Sequence, residues 1–249
     1  MNRLKITFSF ALMLGLAISA GAQVKKTPVK KTPVKTAPVK KPVKKMEPVA
    51  STKMIPGTRV KITTDSGVML IRLYDQTPKH RDNFIKLAND HFYDSLLFHR
   101  VMNGFMIQGG DPLSKNAPPN TLLGNGDIGY TIPAEFDTSL FHKKGALAAA
   151  RTNNPEKASS GCQFYIVQGK TYTDAELNNL EMQTGLKFSP AKRKIYKTIG
   201  GTPFLDMNYT VYGEVESGLE VVDRIAKAAG DGSNRPFTDI RIKKVEVVK

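Results

Sequence analysis

Two stretches of the chain gather residue types suited to holding a polar substrate against an apolar wall. The first is Phe98-His99-Arg100-Val101 with Gly104-Phe105-Met106-Ile107-Gln108-Gly109-Gly110-Asp111. The second is Gln163-Phe164-Tyr165-Ile166-Val167, followed later by Phe204-Leu205 and Tyr209. Together they offer one permanently charged guanidinium, Arg100, two amides, Gln108 and Gln163, and a set of Phe, Met, Tyr and Leu. An apolar pocket with a few directed polar groups has this composition. The same residues also suit a core (Phe105, Met106, Phe164) and a surface ion pair (Arg100), and spacing alone leaves both readings open. Other chemistries lack their residues. His80, His91, His99 and His142 show no metal-ligand spacing with one another or with Cys162. There is no Gly-x-Ser-x-Gly, and no Gly-rich loop between a strand and a helix. Hydrolase, nucleotide and metalloenzyme chemistry therefore draw little support.

These residues must be positioned by short elements. Strand alternation puts Arg100 and Met102 on one face and Val101 on the other, unless a turn at Asn103-Gly104 resets the phase. Upstream, the alternating runs Arg59 to Thr63 and Val68 to Tyr74 flank Asp65-Ser66-Gly67, a hairpin signal. Thr77-Pro78 has the form of an N-cap with proline at the first helical position, predicting a helix of about four turns with Phe84, Leu87 and Ala88 on one face. Short apolar runs follow at Gly145 to Ala150, Gln163 to Val167 and Tyr209 to Val215. A second helix is predicted after Gly218, with Leu219, Val222, Ile225 and Ala226 as its stripe, and Pro236 to Val248 is read as the closing strand. Many short strands with two principal helices point to an antiparallel barrel. Thr173-Asp174-Ala175-Glu176 is a capping box and Ser189-Pro190 a second helix start, so Tyr172 to Ile199 is read as a helical insertion.

The ends of the chain are different in kind. Arg3 and Lys5 precede the apolar run Ile6 to Ile18, which closes on Ala20-Gly21-Ala22. That order is a secretory signal peptide, expected over 1–22, and the run is short of the roughly 20 residues that span a bilayer. A lipid anchor on an N-terminal cysteine is not expected, because the one cysteine is Cys162. Residues 23–53 repeat Lys-Thr-Pro-Val-Lys and its variants without an aromatic, a composition expected to be a disordered linker. The net charge of +15 is mostly theirs. Residues 1–53 hold 12 Lys/Arg against one acid, and the remainder holds 25 against 21, a net +4. A nucleic-acid partner is therefore not expected; weak attraction of the tail to anionic envelope surfaces is the sharper reading of its lysines, a solvated tether the plainer one. Residues 54–249 form one domain, and an exported, periplasmic location is expected, with secretion as the alternative.

The string Phe-His-Arg-Val with Gly-Phe-Met-Ile-Gln-Gly-Gly-Asp resembles the signature of the cyclophilins. The later order, Gly-Ala-Leu-Ala, Gln-Phe-Tyr-Ile and Tyr-Thr-Val-Tyr-Gly-Glu-Val, is similar too, and the resemblance runs from about Arg59 to Val248. It implies a mainly β fold: an eight-stranded antiparallel closed barrel capped by two α-helices, here with the helical insertion. It also implies peptidyl-prolyl cis–trans isomerase activity on proline-containing polypeptides, no cofactor, and an outer-face groove; a monomer is expected. By position, Arg100 matches the catalytic arginine. Phe105, Met106, Tyr165 and Leu205 match the pocket for the proline ring, with Tyr165 where Phe is common. Gln108 matches the glutamine that positions the arginine; Ala150, Arg151 and Gln163 lie along the groove, and His99 and Tyr209 match its rim. Arg151 stands where many eukaryotic members have Asn, Ala149 replaces a frequent Met, and Phe204 replaces the Trp of cyclosporin-sensitive members. A second reading, motivated by these departures and the insertion, is a proline-peptide binding module with incidental catalysis.

Overall fold

The computed structural model describes residues 57–248. The expected signal peptide (1–22) and linker (23–53) lie outside the described residues.

The first hairpin forms where alternation predicts it. β1 (Arg59–Thr64) pairs antiparallel with β2 (Gly67–Leu73), in register from Arg59↔Arg72 to Thr64↔Gly67. Helix α1 (Pro78–Asn89) follows, and here one expectation fails: the Thr77 side chain makes no capping bond. Its place is taken by Glu135, whose carboxylate accepts from the N–H groups of Lys79 (3.1 Å) and His80 (3.0 Å). A carboxylate at a helix N-terminus satisfies orphan donors and meets the positive end of the dipole.

The remaining strands are β3 (Arg100–Met102), β4 (Met106–Gly109), β5 (Thr131–Ile132), β6 (Ala146–Ala149), β7 (Ser159–Ser160), β8 (Phe164–Val167), β9 (Val211–Ser217) and β10 (Ile242–Val248). Six of these join β1 and β2 in one antiparallel sheet in the order β10-β1-β2-β9-β6-β8-β4-β3, while β5 pairs with β7 alone. The second predicted helix is α4 (Leu219–Ala226); α1 and α4 pack against the same face of the sheet. Val60, Ile62, Ile71, Phe84, Leu147, Phe164, Ile166, Val222 and Ile242 make the core between them.

The expected closed barrel is corrected: the sheet is an open half-barrel. Its edge strands, β10 and β3, share no ladder; the gap is spanned by an isolated Leu97–Arg241 bridge with flanking backbone bonds and by Val101 N–H donating to Asn234 O at 2.9 Å. The stretch that would have to pair with β3 contains Asn234 at φ 63° and Pro236, which has no N–H to donate. For the same reason β10 begins at Ile242 rather than at Pro236.

The insertion folds as read. Lys170 and Gly201 exchange two backbone bonds, 3.3 and 2.9 Å, that clasp its base. α2 (Asp174–Thr184) starts on the Thr173/Glu176 capping box, and α3 (Pro190–Thr198) on Ser189, whose hydroxyl accepts from Lys192 N–H. Leu177, Phe188 and Tyr196 form a small core of their own.

Candidate active site

Pairing across four strands builds the site. Arg100 faces Gln108, Gln108 faces Tyr165, and Tyr165 faces Ala148, so these side chains form one row on the sheet face away from α1 and α4. A second row, two residues along, is Met102, Met106 and Val167. The Asn103-Gly104 turn does not break the phase, because Arg100↔Gln108 and Met102↔Met106 remain in register across it.

At every outward position β6 and its continuation carry alanine: Ala146, Ala148 and Ala150. Beside Ala150, between Met106, Tyr165 and Phe105, a hollow remains. The cavity there has a volume of ≈120 Å³ and is lined by Arg100, Phe105, Met106, Gln108, Ala150, Arg151, Tyr165, Leu205 and Tyr209. All of these were singled out from the sequence. Gln108, Ala150 and Arg151 also border a larger cavity of ≈530 Å³, which continues past Gln163 to the loop Gly124–Asp127 and to Tyr130 and Thr131. That loop was missed, since no local pattern ties it to Arg100.

The guanidinium is held from several sides. Arg100 Nη1 donates to Gln108 Oε1 at 3.3 Å, Nη2 lies 3.1 Å from Met102 Sδ, and the group sits 5.9 Å from the Phe105 ring centre. Behind it, Gln108 Nε2 donates to Gln163 Oε1 at 3.0 Å, and Gln163 Nε2 donates to the carbonyls of Gly124 (3.0 Å) and Gly126 (2.7 Å). The two carbonyls can only accept, so each amide along this chain is oriented, ending with an oxygen towards Arg100. Of its five N–H donors one goes to the Gln108 amide and one to Met102 Sδ, which leaves the rest of the fork for a substrate.

Aromatic side chains complete the walls. Tyr209 meets Tyr165 edge-on at 6.0 Å, and Arg151 lies 4.7 Å over the Tyr209 ring while its Nε donates to Asn208 O at 3.0 Å. Phe204, in a short 3₁₀ turn, is 39% exposed and stacks on Phe105 at 5.8 Å, outside the smaller cavity but against its wall. His99 is not at the rim. It is 3% exposed and borders a separate space of ≈100 Å³ shared with Arg100, Asp231 and Arg235. Burial there pulls its pKa down to about 4. Ala149 faces the core on the other side of the sheet. Among the described residues no group of three His, Cys, Asp or Glu side chains could hold a metal ion.

The family model for "Cyclophilin type peptidyl-prolyl cis-trans isomerase/CLD" matches residues 59–247. The chain belongs to the cyclophilin-type peptidyl-prolyl isomerases. A candidate peptidyl-prolyl cis-trans isomerase of Staphylococcus haemolyticus is 33% identical over 190 residues, covering 76% of this chain and 90% of that one. The fold also matches a crystal structure of a Cryptosporidium parvum cyclophilin-type isomerase, with TM-score 0.59, 23% identity, and coverage of 77% of this chain and 98% of that one. A second crystal structure of that protein, obtained in the presence of the dipeptide Ala-Pro, matches with TM-score 0.56 and 22% identity over 77% and 99% of the two chains. Membership makes the chain a peptidyl-prolyl isomerase. The open sheet and the clasped insertion are therefore features of a cyclophilin fold, and the hollow at Arg100 is the candidate for its reaction site.

Proposed function

We propose that this cyclophilin acts on X-Pro bonds of exported or envelope proteins, with Arg100 stabilising the twisted amide and the smaller cavity holding the proline ring. The observation that carries this reading is the pairing of an oriented guanidinium with a hollow of ≈120 Å³ that Phe105, Met106, Tyr165 and Leu205 help to wall. Rotation about a peptide bond costs about 18–20 kcal/mol because resonance gives it double-bond character. X-Pro isomers lie close in energy, so the barrier is what the protein has to lower. In the twisted amide the prolyl nitrogen regains a lone pair. A guanidinium aimed at that nitrogen stabilises the transition state more than the planar ground state. No bond is made or broken, so a fixed donor and a grip on the ring are sufficient. Met106, Tyr165, Leu205 and Phe105 supply the grip; Gln108 and Gln163 keep the guanidinium aimed.

Export is supported by the leader-like order at 1–22, and the Lys/Pro-rich linker is read as a tether. No helix among the described residues is long and apolar enough to cross a membrane. The Ala-Pro dipeptide of the Cryptosporidium structure is a suitable probe. Titrating an Ala-Pro peptide should shift the methyl signals of Met106 and Leu205; shifts confined to other regions would remove the pocket assignment. Fractionation of cells should find a shortened chain outside the cytoplasm, and a full-length cytoplasmic chain would remove the export assignment.

A further inference from the structure

Under the smaller cavity a second polar chain runs away from Arg100, and of its members only Tyr165 was marked from the sequence. Tyr165 Oη lies 3.0 Å from His142 Nε2, and His142 Nδ1 lies 2.9 Å from Asp206 Oδ1. The other carboxylate oxygen accepts from Tyr196 Oη at 2.8 Å. All four side chains are buried. The backbone doubles the link: His142 N–H donates to Asp206 Oδ1 at 2.9 Å, and His142 O accepts from Thr202 N–H at 2.8 Å. His142 is thus tied at both ends to the segment 202–206, which carries Phe204 and Leu205.

Asp206 Oδ2 accepts from the Tyr196 hydroxyl, and Oδ1 accepts from the His142 backbone N–H and faces His142 Nδ1. His142 Nε2, on the far side of the ring, is left to pair with the Tyr165 hydroxyl. Burial raises the pKa of both tyrosines, which keeps their hydroxyls protonated. Tyr165 therefore satisfies its hydroxyl on the side of His142 and offers the cavity its ring.

Tyr196 belongs to α3, inside the insertion. Its ring packs against Phe188 (5.6 Å) and Phe141 (5.4 Å), which fixes where its hydroxyl can reach. Gly201, at the exit of the insertion, permits the approach, since a Cβ there would stand 2.2 Å from His142 O.

We propose that the insertion is a bracket for the proline pocket, in which Tyr196, Asp206 and His142 are positioning residues that fix Tyr165 and Leu205. The inference rests on the function proposed above. Its consequence is that one hydroxyl on α3 governs how tightly the cavity holds a prolyl residue, while Arg100 and its amide chain are left in place.

The test compares Tyr196→Phe with Ser159→Ala in the full chain. Ser159 Oγ lies 3.0 Å from Nε2 of His80, another buried histidine, so its loss costs a similar bond outside the bracket. Exchange NMR on an Ala-Pro peptide should give a KM raised about three- to tenfold by Tyr196→Phe with kcat nearly held, the worth of one hydrogen bond. The methyl signals of Leu205 and Met106 should move as well. Ser159→Ala should change neither. A folded Tyr196→Phe protein with unmoved methyls and unchanged KM overturns the bracket, as does an equal rise in KM from Ser159→Ala. If the parent shows no exchange, the proposed function fails, and the peptide dissociation constants decide the bracket by the same comparison; a parent that binds no peptide ends both. Should Tyr196→Phe not fold, Asp206→Asn supplies the second variant, since its amide turns a donor towards donors, and the same rise in KM is expected.

Discussion

On the helix-covered side of β6 and β8 stand Leu147, Ala149, Phe164 and Ile166; on the opposite side stand Ala146, Ala148, Tyr165 and Val167. The same two strands, read at alternate residues, thus build a filled region and a hollow one. In the filled region Phe164 is ringed edge-on by Phe84 (5.6 Å), Tyr93 (5.5 Å) and Phe98 (6.2 Å), the arrangement that aromatic quadrupoles favour. In the hollow region Ala150 withholds volume between larger neighbours, and the space opens beside Arg100. The difference teaches that this pocket is made by omission. Its walls come from strand residues (Arg100, Met106, Gln108, Tyr165) and from the turns that carry Phe105, Arg151, Leu205 and Tyr209, and Ala150, just past β6, withholds side chain from its floor.

The largest effect should appear on the filled side. Phe164→Ala is expected to lower unfolding stability by about 3–5 kcal/mol, the cost of lost burial plus a cavity. Urea denaturation would show it, and a loss under about 1 kcal/mol would mean that this side is not the packed one.

Next in size is a pH effect at His99. Burial lowers its pKa from 6.5 to about 4. Above pH 6.5 both folded and unfolded chains hold it neutral, so it contributes no slope. As pH falls towards 4 the unfolded chain binds a proton that the folded one refuses, and stability drops by about 3 kcal/mol in all. His80, also lowered by burial, acts in the same direction. His99→Gln should flatten the stability profile in that window without abolishing it. A parent profile already flat between pH 6.5 and 4 would contradict this.

On the hollow side, Gln163→Leu leaves Gln108 Nε2 and two loop carbonyls without their partner, costing about 1–3 kcal/mol. It should lower kcat more than it raises KM, because the guanidinium loses its orientation while the apolar walls remain. Equal effects on both would place Gln163 in binding alone. The smallest stability change, about 1 kcal/mol or less, is expected for Ala150→Leu, since the added side chain enters open space. Its effect on kcat/KM should nonetheless be large, tenfold or more, because it fills the hollow. Undiminished activity would break the comparison between the two sides.

Much of this was legible in sequence. The smaller cavity is lined by residues that the cyclophilin resemblance had marked, and Thr173, Glu176 and Ser189 announced the insertion helices through local capping chemistry. What stayed hidden depends on contacts between distant residues. Glu135 caps α1 across more than fifty residues, as Lys79 and His80 show, while the local candidate Thr77 does not. The Asp206–His142 link spans 64 residues and has no periodic signal. His99 resembled a rim residue, but its neighbours on the loop before β5 and near Arg235 enclose it. The open edge comes from Asn234 and Pro236, and of these Pro236 is a turn residue that alternation had extended into the last strand.

The most direct measurement is exchange NMR of an Ala-Pro peptide with the parent protein and with Arg100→Ala, each checked for folding. The account predicts that the parent accelerates isomerisation and that Arg100→Ala loses on the order of 10²–10³-fold in kcat while still binding peptide, the range for removing a fixed donor from a developing charge. Equal acceleration by both would contradict the role given to Arg100.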